Sequence, residues 1–396
     1  ELPDAMTPAA RIQAAIEVLD LVLAAAREGG AAADTIVQRY FSTRRYAGSK
    51  DRRSVRDLAF AAIRACGEAP PSGRAALLLL AREDATLAAG FDGSPHGPAP
   101  IAEREPVAVA GNAPAWLVER MRAADLSDAE IAALVTRAPL DVRVNTLATT
   151  VEAIAGEIEG AAPIPGVPDA LRLPVGTNVE PFAGRIEVQD AGSQIVAGAA
   201  RVGPGMTVID LCAGAGGKTL ALAAAMRNEG RIVAADTDRA RLSRLSPRAM
   251  RAGVTIAETL LLDPGRELAA LAGLRRAADV VLIDSPCSGT GTWRRNPEAR
   301  WRLTPARLAR LVETQRRLLD IGAELTRPGG ALVHIVCSLL DEEGAGQVED
   351  FLSRHPGWSA ETPALPLGRA HGAGFRLTPA HDGTDGFFVA RLIAPC

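Results

Sequence analysis

The sequence predicts an α/β protein: a doubly wound, mostly parallel sheet over its second half, behind an all-helical first third and a small α+β module. Two observations carry this. From about residue 187, four largely apolar runs (207–211, 231–236, 279–284 and 331–336) alternate with helical segments. Such runs separated by helices mark a parallel sheet covered on both faces. Upstream of residue 91, no apolar–polar alternation interrupts a series of helical spacings, which reads as a bundle.

Each element has a local reason. Thr7 caps a first helix, Pro8 opens it, Ile12, Ile16, Leu19 and Leu23 share one face, and Gly29-Gly30 ends it. A second helix covers 35–41, and a third is capped by Ser49 or Asp51 with Val55, Leu58, Ala62 and Ile63 on one side. A fourth covers 75–82. The Gly-, Pro- and Ala-rich stretch 91–111 reads as a linker. Pro114-Ala115-Trp116-Leu117 opens another helix and Ser127 caps one more through Leu134. A short strand at 141–145, a helix at 150–158 and extended pieces near Leu171 and Ile186 form the small module. The expected domains are 1–125, 126–186 and 187–396.

Composition narrows the class. Apolar residues are 47% and charged residues 23% of 396, which excludes a disordered or collagen-like chain. Cys66, Cys212, Cys287, Cys337 and Cys396 form no C-x-x-C pair, so neither a disulfide scaffold nor a structural zinc site is expected, and no metal. The thiols read as reduced. There is no long apolar run for a membrane span and no signal-peptide core before Met6, so a cytoplasmic protein is expected. Net charge is −3, low for a protein that binds nucleic acid over its whole surface. Of 44 basic side chains only Lys50 and Lys218 are lysines, and Lys218 stands inside a glycine-rich segment.

That segment is Asp210-Leu211-Cys212-Ala213-Gly214-Ala215-Gly216-Gly217-Lys218-Thr219, at the end of the first strand. A P-loop requires glycine where Cys212 stands, and a dinucleotide fingerprint requires glycine where Thr219 stands. What remains is a strand, a glycine turn and a helix N-terminus, which allows close backbone approach and favours negative charge. Asp236 ends the next strand about 20 residues after Gly216, where an acid suits a ribose hydroxyl pair. An adenosine ligand without a pyrophosphate fits, and S-adenosylmethionine is the expected cofactor. Residues 212–218, Asp236, Asp263 and Asp284 are its candidate contacts.

Two cysteines follow two later strands: Cys287 in Asp284-Ser285-Pro286-Cys287-Ser288-Gly289, and Cys337 in Val336-Cys337-Ser338. Ligands of open α/β sheets bind beyond the carboxyl ends of the strands, so both thiols should face the crevice of the glycine loop. A thiol beside such a methyl donor has a clear use. Carbon 5 of cytosine is a poor nucleophile. A thiolate adding to carbon 6 pushes electrons onto carbon 5, which then takes the methyl group. A base must next remove the carbon-5 proton so that the thiol can leave. Asp284 is placed to hydrogen-bond the ring nitrogen or exocyclic amine.

These motifs resemble those of the RNA 5-methylcytosine methyltransferases. The resemblance implies a Rossmann-like methyltransferase domain in which Cys337 is the nucleophile and Cys287 serves product release; DNA cytosine methyltransferases use the Pro-Cys thiol as nucleophile instead. The first third, including Gly48-Ser49-Lys50-Asp51-Arg52, resembles the NusB-like helical domain of the bacterial Fmu/Sun class. Arg143-Val144-Asn145-Thr146-Leu147 and Asp385-Gly386-Phe387-Phe388-Val389-Ala390-Arg391 resemble that class's small module and closing strand. The class implies 16S (small-subunit) ribosomal RNA as substrate. Four positions depart from its usual pattern: Gly214-Ala215 stands for Ala-Pro, Ser285 for Ala, and Val336 for Thr beside the nucleophile. Pro264 after Asp263 alters another turn.

Arg294, Arg295, Arg300, Arg302, Arg307 and Arg310 stand against one acid, Glu298, and are expected to contact RNA phosphates. A second patch holds Arg44, Arg45, Lys50, Arg52, Arg53 and Arg56. Aromatics are only 4%, so recognition should use RNA shape and a flipped base rather than stacking platforms. The alternatives are a transfer-RNA 5-methylcytosine methyltransferase and a non-enzymatic RNA-binding assembly factor; the intact thiols and glycine loop argue against the latter. A monomer is expected.

Overall fold

The computed structural model describes residues 6–362 and 364–396. The chain forms two compact units. One runs to Arg137 and takes back Thr292–Thr304, and the other holds Ala138–Gly291 and Pro305–Cys396.

The first unit is helical. In α1 (Pro8–Glu28) the Thr7 hydroxyl accepts from the Ala10 N–H at 3.1 Å, and Gly29 ends the helix at φ 77°, a left-handed conformation that glycine adopts without strain. Helices α2 (Ala33–Ser42), α3 (Ser49–Ala65), α4 (Gly73–Ala81) and α5 (Ala85–Ala89) follow, then α6 (Ala115–Ala123) and α7 (Asp128–Ala133). The cap of α3 is Gly48, not Ser49 or Asp51. Asp51 sits in the first turn, accepts from the Gly48 N–H at 3.3 Å and bonds Arg11 at 2.8 Å, tying α3 to α1. Stretch 91–111 is not a free linker. Phe91 and Ala108 are buried in the helical core, and the N–H groups of Ala108 and Gly111 reach the carbonyls of Ala75 and Ala65 at 3.0 Å.

The returning segment Thr292–Thr304 caps this bundle, and here the phosphate expectation fails for Arg300. Its side chain is fully buried, and its guanidinium donates to the carbonyls of Ile63 and Cys66 at 2.5 and 2.6 Å, at the end of α3. Arg302 donates to the carbonyls of Gly30 and Ala31, and the Glu298 carboxylate accepts from the Ala33 N–H at 2.9 Å, at the start of α2. Opposite charges thus meet opposite helix ends. Arg294 is also buried and Arg295 half-buried, so neither stands out as an open phosphate contact.

The second unit carries two sheets. The small one joins β1 (Leu140–Val144), β2 (Ala162–Pro163), β3 (Ala170–Leu173) and β4 (Ile186–Val188) in the antiparallel order β2-β3-β1-β4, with α8 (Val151–Glu157) beside it. The main sheet begins after α9 (Ala191–Gly198). Its parallel strands are β5 (Thr207–Asp210), β6 (Arg231–Asp236), β7 (Ala257–Leu261), β8 (Ala278–Asp284) and β9 (Thr326–Val336), in the order β9-β8-β5-β6-β7. The intervening helices are α10 (Gly217–Ala225), α11 (Arg239–Leu242), α12 (Leu245–Arg251), α13 (Glu267–Ala270) and α14 (Pro305–Leu325). After α15 (Ala345–Arg354) come β10 (Ser359–Glu361), β11 (Arg369–His371), β12 (Gly374–Leu377), the short α16 (Pro379–Asp382) and β13 (Phe387–Ile393), which extends the sheet antiparallel to β9. Alternate strand residues bury opposite faces: Val208, Ile232, Val280 and Val333 against α9 and α10, and Ile209, Val233, Val281 and Leu332 against α14. Strand β7 has no counterpart among the apolar runs, because it is a half-exposed edge whose Glu258 pairs with Arg231.

Among the described residues, no helix is long and apolar enough to cross a membrane.

Arg300→Ala should leave carbonyls at the end of α3 buried and unpaired. A loss of about 3 kcal/mol is expected, read as a lower urea midpoint for the helical unit. A midpoint within experimental error of the parent chain would show that these bonds do not hold the bundle.

Candidate active site

The parallel order puts the carboxyl ends of β6, β5, β8 and β9 side by side; the first three end in aspartates and β9 is followed directly by Cys337. Strand β5 ends in Asp210, whose carboxylate accepts from Thr219 Oγ1 at 2.6 Å and has one oxygen with no partner. Its burial raises the carboxyl to about 7. The glycine loop follows. Gly214 and Gly216 have φ of 54° and 90°, and a Cβ on Gly216 would stand 2.6 Å from Leu245. Glycine is required at both positions. The Ala213 N–H bonds the Ala235 carbonyl at 3.0 Å, and the Ala215 carbonyl accepts from Arg248 at 2.6 Å, so the loop is anchored on both sides. Asp236, at the end of β6, accepts from the Gly214 N–H and the Asp238 N–H, both at 2.7 Å. It therefore sets the loop's shape as well as facing the crevice.

Lys218, in the first turn of α10, bonds Asp284 at the end of β8, with Nζ–Oδ2 of 2.7 Å. Burial disfavours the ammonium, but the Asp284 carboxylate outweighs it and Cys337 and Asp210 add to it, so the lysine is raised and stays charged. Cys212 is held as a neutral thiol, raised by burial and by the carboxylates of Asp236, Asp210 and Asp284.

The two later cysteines meet. Strands β8 and β9 pair with Asp284 opposite Ile335, which brings the loops after them together, and Cys287 Sγ lies 3.4 Å from Cys337 Sγ. The hydrogen bond with Cys337 raises the Cys287 thiol well above its ordinary range, and burial adds to this. The Gly291 N–H donates to the Cys337 carbonyl at 3.0 Å, and the Gly386 N–H donates to the Gly291 carbonyl at 2.8 Å. A Cβ on Gly291 would strike the Gly386 backbone, so these loops pack backbone to backbone.

The sequence reading misses what lies beneath the sulfurs. Glu343 is fully buried and accepts from the Ser288 N–H at 2.8 Å, the hydroxyls of Ser288 and Ser338, and Gln315 Nε2 at 3.0 Å. Ser288 and Ser338 are the residues directly after the two cysteines. His334, on β9, donates from Nε2 to the Glu343 carbonyl at 2.8 Å, and burial lowers it to about 4, so the ring is neutral. In the sequence, Glu343 closes an acidic triplet, Asp341-Glu342-Glu343, that reads as solvated surface.

Asp263 is exposed just beyond β7, next to the strand that ends in Asp236. Among the described residues, no group of three His, Cys, Asp or Glu side chains is arranged to hold a metal ion.

Residues 201–393 match the model of the 16S rRNA methyltransferase RsmB/F family. The chain is 36% identical over 302 residues to the ribosomal RNA small subunit methyltransferase B of Xylella fastidiosa, covering 74% of this chain and 71% of that protein. It is 36% identical over 270 residues to a probable ribosomal RNA small subunit methyltransferase B of Synechocystis, covering 64% of this chain but only 59% of the relative. Among solved structures, the crystal structure of PH0851 superposes over 98% of this chain and 99% of its own, with a TM-score of 0.78 at 26% identity.

The Asp210 carboxyl has a pH signature. Folded, it keeps its proton to about 7, whereas an unfolded aspartate loses it near 3.8. Between those values the native state binds more protons, so this group's contribution to stability falls as pH rises. The stability of Asp210→Asn relative to the parent chain should therefore climb from pH 4 to pH 7 and level off above. A difference independent of pH, in urea titrations across that range, would rule out the raised carboxyl.

Proposed function

Because this chain belongs to the 16S rRNA methyltransferase RsmB/F family, we propose that it methylates carbon 5 of a cytosine in small-subunit ribosomal RNA, through a covalent bond from Cys337 to carbon 6. The observation that carries this reading is the pair of sulfurs 3.4 Å apart, beside the Lys218–Asp284 pair that joins them to the glycine loop.

The loop fits S-adenosylmethionine. Space is open where a Cβ on Gly217 would lie, at the N–H groups that begin α10, and this suits the donor's carboxylate. The acids Asp210, Asp236 and Asp284 suit its cationic sulfonium. Asp236 has lone pairs left for the ribose hydroxyls, and Asp263 lies toward the adenine end. Bound there, the donor supplies the methyl group.

The residues of the chain manage the rest. Lys218 holds Asp284 toward the polar edge of the cytosine. The Cys337 thiolate forms a bond to carbon 6, the C5=C6 π pair shifts onto carbon 5, and carbon 5 takes the methyl. Cys287 is held as a neutral thiol by its hydrogen bond with Cys337, by burial, and by the charges of Cys337 and Glu343. Once Cys337 is a thioether its share of that effect is gone, and Cys287 is the sulfur left beside the ring to take the carbon-5 proton. The electrons of that C–H bond re-form the ring double bond, the C6–S bond breaks, and Cys337 leaves as thiolate.

The NusB-like helical domain, with its patch of Arg44, Arg45, Lys50, Arg52, Arg53 and Arg56, positions the RNA and carries no chemistry. The protein acts as a monomer in the cytoplasm. Arg300 has no part in RNA contact.

Single replacement of the thiols tests this reading. Cys337→Ala should be inactive and give no covalent RNA. Cys287→Ala should transfer the methyl group but accumulate a protein–RNA complex that survives a denaturing gel, and the double variant should lose that complex. Trapping by Cys337→Ala instead would reverse the roles. Two active single variants with no complex would end covalent catalysis as the mechanism.

A further inference from the structure

We infer that Glu343 is the positioning residue of the thiol pair: its buried carboxylate gathers the loops that follow β8 and β9 and thereby sets the distance between Cys287 and Cys337. The catalytic meaning of that distance rests on the function proposed above, but the geometry does not. The carboxylate takes four donors. Two come from Ser288, one from Ser338, and one from Gln315 on α14. Gln315 also donates to the Pro286 carbonyl at 2.9 Å, so the residue before Cys287 is tied to the same point as the residue after it. On the other side, Ser338 Oγ accepts from the Leu340 N–H at 3.2 Å and lies 3.2 Å from Thr290 Oγ1, which accepts from the Leu339 N–H at 2.9 Å. The Glu343 backbone is itself held by His334. These side-chain bonds converge on Glu343, which joins both loops to α14 behind them.

Glutamate suits the position because all four groups donate. Glutamine can nearly match it. Its oxygen would keep the bonds from the Ser288 N–H and Gln315, and its NH2 would donate to the two serine hydroxyls, which can rotate to accept. Alanine would leave the donors unpaired and the loops free to part. Shape and hydrogen bonding, rather than charge, should hold the sulfurs together.

The rate of disulfide closure between Cys287 and Cys337 in the full-length protein reports this distance without any methylation. Diamide oxidises the pair: two thiols lose two protons and two electrons, the S–S bond forms, and the diazene becomes the hydrazine. Closure is followed by mass spectrometry of the linked peptides. Glu343→Ala should close about tenfold more slowly than the parent chain or worse, and Glu343→Gln within about threefold of it. Ser338→Ala, which removes the hydroxyl's bonds to Glu343 and its neighbours but spares those of Ser288 and Gln315 to the carboxylate, should fall between. In methylation assays Glu343→Ala should lose kcat, with donor affinity unchanged by calorimetry, and Glu343→Gln should restore it. Closure of Glu343→Ala at the parent rate would overturn the inference, as would a glutamine variant as slow as alanine. If the Cys287→Ala protein traps no RNA while the closure rates still rank as expected, the proposed reaction fails and the role of Glu343 stands.

Discussion

The parallel register of β8 against β9 is the constraint on which the site depends. Asp284 lies opposite Ile335, so the chain leaves the two strands at nearly the same level. The chain that follows each strand puts a cysteine within its first three residues. A slip of two residues along either strand would keep every apolar contact in the sheet yet carry one sulfur about 7 Å from the other. What forbids the slip lies outside the strands: the Gly291 N–H on the Cys337 carbonyl, and the buried carboxylate of Glu343 beneath both serines. The polar network beneath the sulfurs fixes what the hydrophobic pattern leaves free.

The electrostatics of the crevice follow the same arrangement. Three strands end in aspartates, and the fold must keep them from repelling one another. Asp210 is buried beneath Thr219 and its carboxyl is raised to about 7, so it carries only part of a charge near neutral pH. Asp236 spends its charge on two backbone N–H groups, and Asp284 is neutralised by Lys218. In a chain with two lysines among its 44 basic residues, one serves here. A compact ammonium fits between a helix N-terminus and a strand end where a guanidinium would need more space.

Much of this could be read before the structure. The buried strands announce themselves as apolar runs, the glycine loop by what it fails to match, and the thiols by following strand ends. What stayed hidden has physical reasons. Strand β7 is an edge with Glu258 on its open side, so it carries no apolar run. Glu343 sits in an acidic triplet, and only the fold distinguishes it from its half-buried neighbours. Arg300 was misjudged because arginine is used both to meet phosphates and to cap helices, and composition does not separate the two. The stretch 91–111 was misjudged because glycine and proline also occur in extended chain packed against a core. The departure of Val336 from the usual threonine removes no bond that holds the sulfurs, since the network runs through Ser338 on the other side of the cysteine.

The thirteen or so residues from Thr292 to Thr304 bear on how such a protein can be inherited or rebuilt. They belong to the helical unit, yet they are encoded between the two cysteines. A gene that lost its first third would still specify Arg300, Trp301 and Arg302, now with no α1 or α3 to receive them. A catalytic half joined to a different first domain would need those residues rewritten as well. The two halves therefore cannot be shuffled as independent modules. A recombination breakpoint near residue 137 respects the chain but not the packing, and a functional chimera needs three junctions moved together.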